Sequence, residues 1–160
     1  MPEQLTHLDA HGRARMVDVG HKDDTVRVAT ARGTVQMQPA TLQQIMAGQI
    51  KKGEVLTIAE LAGVMAAKRT SDLIPLCHPL MLNHITVTCT PNPAQSCVDI
   101  EATVRLTGKT GVEMEALTAV TIAGLTIYDM AKAIDKGMRL TDVRLVHKEG
   151  GKSGEWRSEQ

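Results

Sequence analysis

The sequence predicts an α+β sandwich, an antiparallel sheet with helices on one face, and three observations carry that expectation. First, Ile85, Val87 and Cys89 point one way while His84, Thr86, Thr88 and Thr90 point the other. Val98, Ile100, Ala102, Val104 and Leu106 likewise alternate with Asp99, Glu101, Thr103, Arg105 and Thr107. Both are half-buried strands, and the turn between them at Pro91-Asn92-Pro93 makes them an antiparallel pair. Second, the pattern from Val112 to about Lys136 is helical, and between Glu115 and Asp129 no side chain is charged. Third, from the second strand of an expected hairpin onward the order is strand, helices, strand, strand, helix, strand, which suggests a ferredoxin-like sandwich.

Met1 to Asp24 is polar and unpatterned and reads as an extended N-terminal arm. Thr25 to Met37 reads as a hairpin: Val26, Val28 and Thr30 alternate before Arg32-Gly33, and Thr34-Val35-Gln36-Met37 returns. Pro39 suits the first turn of a short helix in which Leu42, Ile45 and Met46 share a face and Gly48 lies near the end. Thr57-Ile58-Ala59-Glu60 has the form of a capping box, with Leu61, Val64, Met65 and Lys68 continuing the helix. In Leu73-Ile74-Pro75-Leu76-Cys77-His78-Pro79-Leu80-Met81-Leu82 two prolines remove backbone donors and fix φ, so neither a regular helix nor a central strand fits. A rigid apolar segment holding a thiol and an imidazole remains, as in a pocket wall.

In the long helix Leu117, Val120, Leu125, Ile127 and Ile134, with Ala and Thr elsewhere, leave no solvent face. A single small sheet covers only one side of such a helix, so burial between subunits and a homo-oligomer are expected. Leu140 to His147 supplies the last strand, and residues 150–160 read as a flexible tail unless a ligand orders them. The organisation is therefore an arm at 1–24, one α+β domain at 25–149 and the tail.

Eighteen basic side chains balance eighteen acidic ones, so the overall field that draws proteins to nucleic acid or anionic membrane is missing. Tyr128 and Trp156 are the only aromatic residues, which argues against base stacking on an aromatic platform. No apolar run reaches transmembrane length, and the N-terminus lacks the form of a secretory signal. Three cysteines without disulfide-like spacing fit a cytoplasmic protein.

Four constellations can carry chemistry. His78 is placed to bind substrate or shuttle a proton, or equally to make a structural hydrogen bond to a loop carbonyl. Cys77, Cys89 and Cys97 lack the close spacing of zinc sites, and buried unreactive thiols are the weightier reading. Gly108-Lys109-Thr110-Gly111 lacks the upstream glycine of a phosphate loop, so a Walker motif is rejected, although backbone donors at a helix start can still hold an anion. Glu113 and Glu115, two apart, do not share a helix face, and from spacing alone each reads as a solvated first-turn acid. Asp129 and Lys132 lie three apart on one face, where each can shift the other's pKa and serve as base and acid. Lys51, Lys52, Lys68, Arg69, Lys148 and Lys152 are each most often solvated charges, yet they are the groups available to neutralise a triphosphate.

Ala66-Ala67-Lys68-Arg69-Thr70, Asp72-Leu73-Ile74-Pro75-Leu76-Cys77-His78-Pro79-Leu80, Leu106 through Ala119, and Leu125-Thr126-Ile127-Tyr128-Asp129-Met130 resemble the cyclic pyranopterin monophosphate synthase family, the second enzymes of molybdenum cofactor biosynthesis. Met16-Val17-Asp18-Val19 and Gly150-Gly151-Lys152-Ser153-Gly154 extend the likeness to nearly the whole chain. The resemblance implies a ferredoxin-like subunit in a homohexamer, a trimer of dimers, with active sites at subunit interfaces. It implies conversion of 3′,8-cyclo-7,8-dihydroguanosine 5′-triphosphate to the cyclic pyranopterin with release of pyrophosphate.

By the same resemblance Asp129 matches the family's active-site aspartate, Lys132 its partner lysine and Lys52 another active-site lysine. Leu76, Cys77 and His78 match one substrate-binding strip and Met114 with Glu115 another. Glu113, Lys68 and Arg69 fall in pocket motifs, and Lys148 and Lys152 belong to segments able to close over phosphates. No protein-bound metal or cofactor is required, although Mg²⁺ can accompany the triphosphate. The alternative function is a non-enzymatic regulatory module that binds a small ligand, since fold does not fix function.

Overall fold

The computed structural model describes residues 7–159; Met1 to Thr6 of the expected arm, and Gln160, lie outside the described residues. Five strands, β1 (Thr25–Gln36), β2 (His84–Asn92), β3 (Cys97–Gly108), β4 (Arg139–Glu149) and β5 (Trp156–Arg157), form one antiparallel sheet in the order β2-β3-β1-β4-β5. Helices α1 (Pro39–Met46), α2 (Val55–Lys68), α3 (Thr70–Leu73) and α4 (Glu113–Ala131) complete the chain.

The period-two pattern determines which face of the sheet is dry. Ala29, Ala31 and Val35 of β1 and Val98, Ile100, Ala102, Val104 and Leu106 of β3 are buried in the same core as α2 and α4. The other face carries cross-strand polar pairs: Arg32 with Glu101 at 2.7 Å, Thr30 with Thr103 at 2.8 Å and Thr34 with Asp99 at 3.2 Å. An antiparallel sheet with one solvated face takes this alternation.

The hairpin expected at Thr25–Met37 is instead a single strand, β1, paired with β3 from Thr25↔Gly108 to Gln36↔Cys97. Gly33 is not a turn residue. A Cβ there would lie 2.7 Å from Val120 Cγ1 of α4 and 3.2 Å from Val143 Cγ2 of β4, so the glycine admits close approach of the helix to the strand. The β1–β4 register also shifts between Arg32 and Thr34.

The expected capping box does not form. Helix α2 begins at Val55, with Glu54 as its N-cap, and Glu60 Oε1 accepts the Cys89 N–H of β2 at 2.9 Å instead of reaching back. The helix packs through small residues, Ala59, Gly63, Ala66 and Ala67, and leaves Leu61 and Met65 exposed. Pro91 and Asn92 belong to β2 rather than to the turn, which falls over residues 93–96 with Ser96 at φ 51°. Strand β2 lies at the sheet edge, where a proline costs no ladder hydrogen bond.

The turn after α4 is joined to the start of α1 by one buried carboxylate. Asp135 accepts the Gln38 N–H at 2.9 Å and the Thr41 hydroxyl at 3.0 Å through Oδ2, and the Gly137 N–H at 3.1 Å through Oδ1. The Gln38 N–H holds the Asp135 pKa below its ordinary 3.8, against the opposing effect of burial. A carboxylate depressed in this way stabilises the fold above its unfolded pKa, and the contribution is lost as pH falls through the folded value. Asp135→Ala should therefore cost about 2 kcal/mol in urea unfolding at neutral pH, by stranding three donors. That deficit should shrink as both proteins are titrated below the ordinary carboxylate value and through the lowered folded one, where the wild-type carboxylate takes up its proton.

Candidate active site

Two adjoining clefts open at the N-terminal end of α4. The smaller, about 360 Å³, is walled by Leu76, Cys77, His78 and Leu80 of the proline segment, Val17 and Val19 of the arm, and Glu113, Met114 and Glu115 at the helix start. The larger, about 620 Å³, continues past Lys22, Thr110, Gly111 and Glu113, which line both, to Arg27, Lys148, Lys152 and Ser153. One cleft is thus mostly apolar with a few polar groups, and the other is rich in cations.

His78 Nε2–H donates to the Val17 carbonyl at 2.7 Å. The structural hydrogen bond and the pocket position weighed for this residue are both present, because that bond draws the arm against the proline segment while the ring lines the cleft. Burial, followed by the charge of Glu115, pushes the Cys77 thiol upward. Cys89 and Cys97 are buried, and burial raises Cys89 to about 12, so both stay protonated thiols.

Glu115 is not the solvated acid its spacing suggests. It is 4% exposed, and burial, assisted by the Glu113 charge, raises its pKa to about 7 against the lowering effect of its own backbone N–H. Glu113 faces the other cleft as well, where its carboxylate meets Lys148 Nζ at 2.9 Å. The two glutamates, both in the first turn of α4, line one pocket despite lying two apart.

Asp129, Lys132 and Lys52 come together at the opposite end of α4. Lys132 Nζ donates to Asp129 Oδ1 at 2.8 Å, and Lys52 Nζ donates to Asp129 Oδ2 at 3.1 Å and to its backbone carbonyl at 2.9 Å. Lys132 and then Lys52 lower the Asp129 pKa, and Asp129 raises that of Lys132, so both partners are charged at neutral pH. The three side chains are about half exposed. Fourteen residues separate Glu115 from Asp129 on one helix, which at ~1.5 Å each places the clefts and the trio ~21 Å apart. Lys68 is exposed in the last turn of α2, and Arg69 lines a shallow apolar groove with Met65, Leu73 and Ile122, so neither lines the two clefts.

Sequence reasoning missed Arg27 and Lys22. Arg27 donates to the Gly108 and Lys109 carbonyls at 3.0 and 3.1 Å, and Lys109 Nζ donates to the Lys22 carbonyl at 2.6 Å. The Gly-Lys-Thr loop is thus a fastening for the arm and for β1. Arg27 sits in a strand rich in alternating residues and carries no local signal that sets it apart.

Residues 16–151 match the MoaC family. The chain is 63% identical over 158 residues to the protein named cyclic pyranopterin monophosphate synthase of Chloroflexus aggregans, covering 99% of this chain and 96% of that one. It is 64% identical over 152 residues to the protein of the same name from a Roseiflexus species, covering 95% and 96%, and 63% identical to that of Rhodospirillum rubrum, covering 95% and 92%.

A carboxyl whose folded pKa is raised stabilises the fold below its unfolded value, and that contribution is lost as pH rises through the folded pKa. Glu115→Gln should therefore gain stability relative to wild type as pH rises from 4.5 to about 7. The gain should be of order 2 kcal/mol in denaturant titrations, with a Glu115 carboxyl resonance titrating near 7 rather than near 4.5.

Proposed function

Since the chain belongs to the MoaC family, we propose that it converts (8S)-3′,8-cyclo-7,8-dihydroguanosine 5′-triphosphate to cyclic pyranopterin monophosphate, with release of pyrophosphate, in molybdenum cofactor biosynthesis. The observation that carries the assignment of roles is Asp129 held between two lysines at 2.8 and 3.1 Å. An ionised carboxylate starts as a proton acceptor and a charged lysine as a donor, and opening the guanine five-membered ring and closing the new ring need both. Asp129 is the general acid/base, assisted by Lys132 and Lys52. In the phosphate step a hydroxyl of the same molecule gives its proton to the Asp129 carboxylate as its oxygen forms a new bond to the α-phosphorus. The bond from that phosphorus to the oxygen bridging it to the β-phosphate breaks, and that oxygen leaves with pyrophosphate.

The smaller cleft suits the purine-derived end, gripped by Leu76, Cys77, His78, Met114 and Glu115. The cation-rich cleft suits the triphosphate, through Lys148 and Lys152, with Glu113, which lines both clefts, paired to Lys148. Mg²⁺ can travel with the triphosphate as part of the substrate, held by phosphate oxygens.

A separation of ~21 Å along one helix supports a site built from two chains, with the clefts of one subunit completed by the Asp129 trio of another. The exposed Ile58, Leu61, Met65, Leu73 and Leu125 offer the apolar surface such an assembly buries. This is consistent with a homohexamer, a trimer of dimers. The strand order β2-β3-β1-β4, with α2 and α4 packed in the core on one face, supports reading the subunit as ferredoxin-like. The cytoplasm is the compartment in which the nucleotide substrate and the free thiols fit together. Lys68 and Arg69, outside the clefts of their own chain, can reach substrate only across such an interface.

Asp129→Asn preserves shape but removes the proton acceptor, and should lower pyrophosphate release from the cyclised nucleotide by ~10²–10⁴-fold. Near-normal turnover would sink the assignment. Dissociating and remixing equal amounts of Asp129→Asn and His78→Ala should restore about a quarter of wild-type activity, since half the dimers are mixed and each carries one intact site of two. No recovery after demonstrated subunit exchange would rule out a shared site.

A further inference from the structure

The residues closing the tail form a fastening that lies beyond the family match, which ends at residue 151. Strand β5 pairs with β4 at His147↔Arg157 and Lys148↔Trp156. Just before β5, a single carboxylate oxygen, Glu155 Oε1, accepts hydrogen bonds from His147 Nε2 at 3.0 Å and Arg157 Nε at 2.7 Å, with Arg157 Nη2 at 2.6 Å. The imidazole bond needs only a neutral ring with its proton on Nε2.

Between the two fastened strands the chain makes a tight loop, closed by the Gly154 N–H on the Gly151 carbonyl at 3.2 Å. Gly150, Gly151 and Gly154 have φ of 102°, 74° and 64°. A Cβ at Gly150 would strike the Val26 carbonyl, and one at Gly151 the Arg27 guanidinium, so the loop backbone rests directly on β1. Lys152 and Ser153, at the loop's tip, line the cation-rich cleft with Arg27 and Lys148. Glycine loses more conformational freedom on ordering than any other residue. A loop with three glycines therefore opposes ligand binding strongly unless it is already ordered in the free protein.

We propose that Glu155, through His147 and Arg157, is a positioning residue that holds the Gly150–Gly154 loop with Lys152 and Ser153 facing the phosphate chain of the substrate. The proposal rests on the reading of that cleft as the triphosphate site. Glu155 does not line the cation-rich cleft and makes no bond to the Asp129 trio of its own chain, so its effect passes through the loop and falls on binding and not on the chemical step.

The test compares full-length wild type, Glu155→Ala, Glu155→Gln, Lys152→Ala and the Glu155→Ala/Lys152→Ala double variant. Two readouts are used: KM and kcat with the cyclised nucleotide, and calorimetric binding of inorganic tripolyphosphate. Glu155→Ala should weaken tripolyphosphate binding and raise KM by about fivefold, leaving kcat within about twofold. Glu155→Gln, which keeps an acceptor oxygen, should recover most of the loss. Adding Glu155→Ala to Lys152→Ala should cost little more, because the residue positioned is already gone. Full additivity in the double variant, or a fall in kcat with KM unmoved, overturns the proposal. Weaker binding in Lys152→Ala with none in Glu155→Ala overturns it while sparing the cleft reading. Tripolyphosphate binding unmoved in both single variants overturns the two together.

Discussion

A core without phenylalanine closes only if its backbones come close together, and the contact of α4 with β1 is where this chain meets that condition. Gly33 on the strand faces Val120 on the helix, and Ala29, Ala31 and the alanines 116, 119 and 123 are fully buried in the same core. Gly63 brings α2 to the same helix, its Cβ position 3.0 Å from the Ala119 carbonyl. Packing of this kind replaces a few large contacts with many small ones, so a single added methyl group is felt along the helix rather than absorbed locally. The position of α4 is thus set by close packing along residues 116–123, between Glu115 and Asp129.

Those ends differ in a way that follows from their surroundings. The helix macrodipole and the free N–H groups at the start of α4 favour a charged Glu115, while burial disfavours it, and the rise from 4.5 to about 7 shows that burial outweighs them. At the other end Asp129 lies where the macrodipole is unfavourable to an anion, yet two lysine contacts lower its pKa. One helix therefore carries a carboxyl poised near neutrality and a carboxylate that is firmly ionised. Such opposed environments separate acid from base roles in hydrolases and isomerases.

The strands β2 and β3 were legible because one face of the sheet meets water, which imposes strict alternation on Ile85 to Cys89 and Val98 to Leu106. β1 was not, because glycine within a strand signals either a turn or a close approach, and only the position of Val120 decides between them. The start of α2 was misread for a related reason: Glu60, free to cap in an isolated helix, is recruited by the Cys89 amide of an edge strand. Within the candidate site, the resemblance supplied residue names and the helix rise supplied the distance between them. The burial of Glu115 was hidden, because a first-turn acid is ordinarily solvated, and Arg27 was hidden because its use depends on a loop more than eighty residues later in the chain.

The only tryptophan of the chain, Trp156, lies on β5 at the outer edge of the sheet, 46% exposed, rather than in the core. Its indole emission is therefore a local reporter. A shift in fluorescence on heating or in denaturant follows the release of β5 from β4, while far-ultraviolet circular dichroism follows the sheet and α4. The two probes need not coincide, and a non-coincident pair here marks detachment of the tail rather than a folding intermediate of the core.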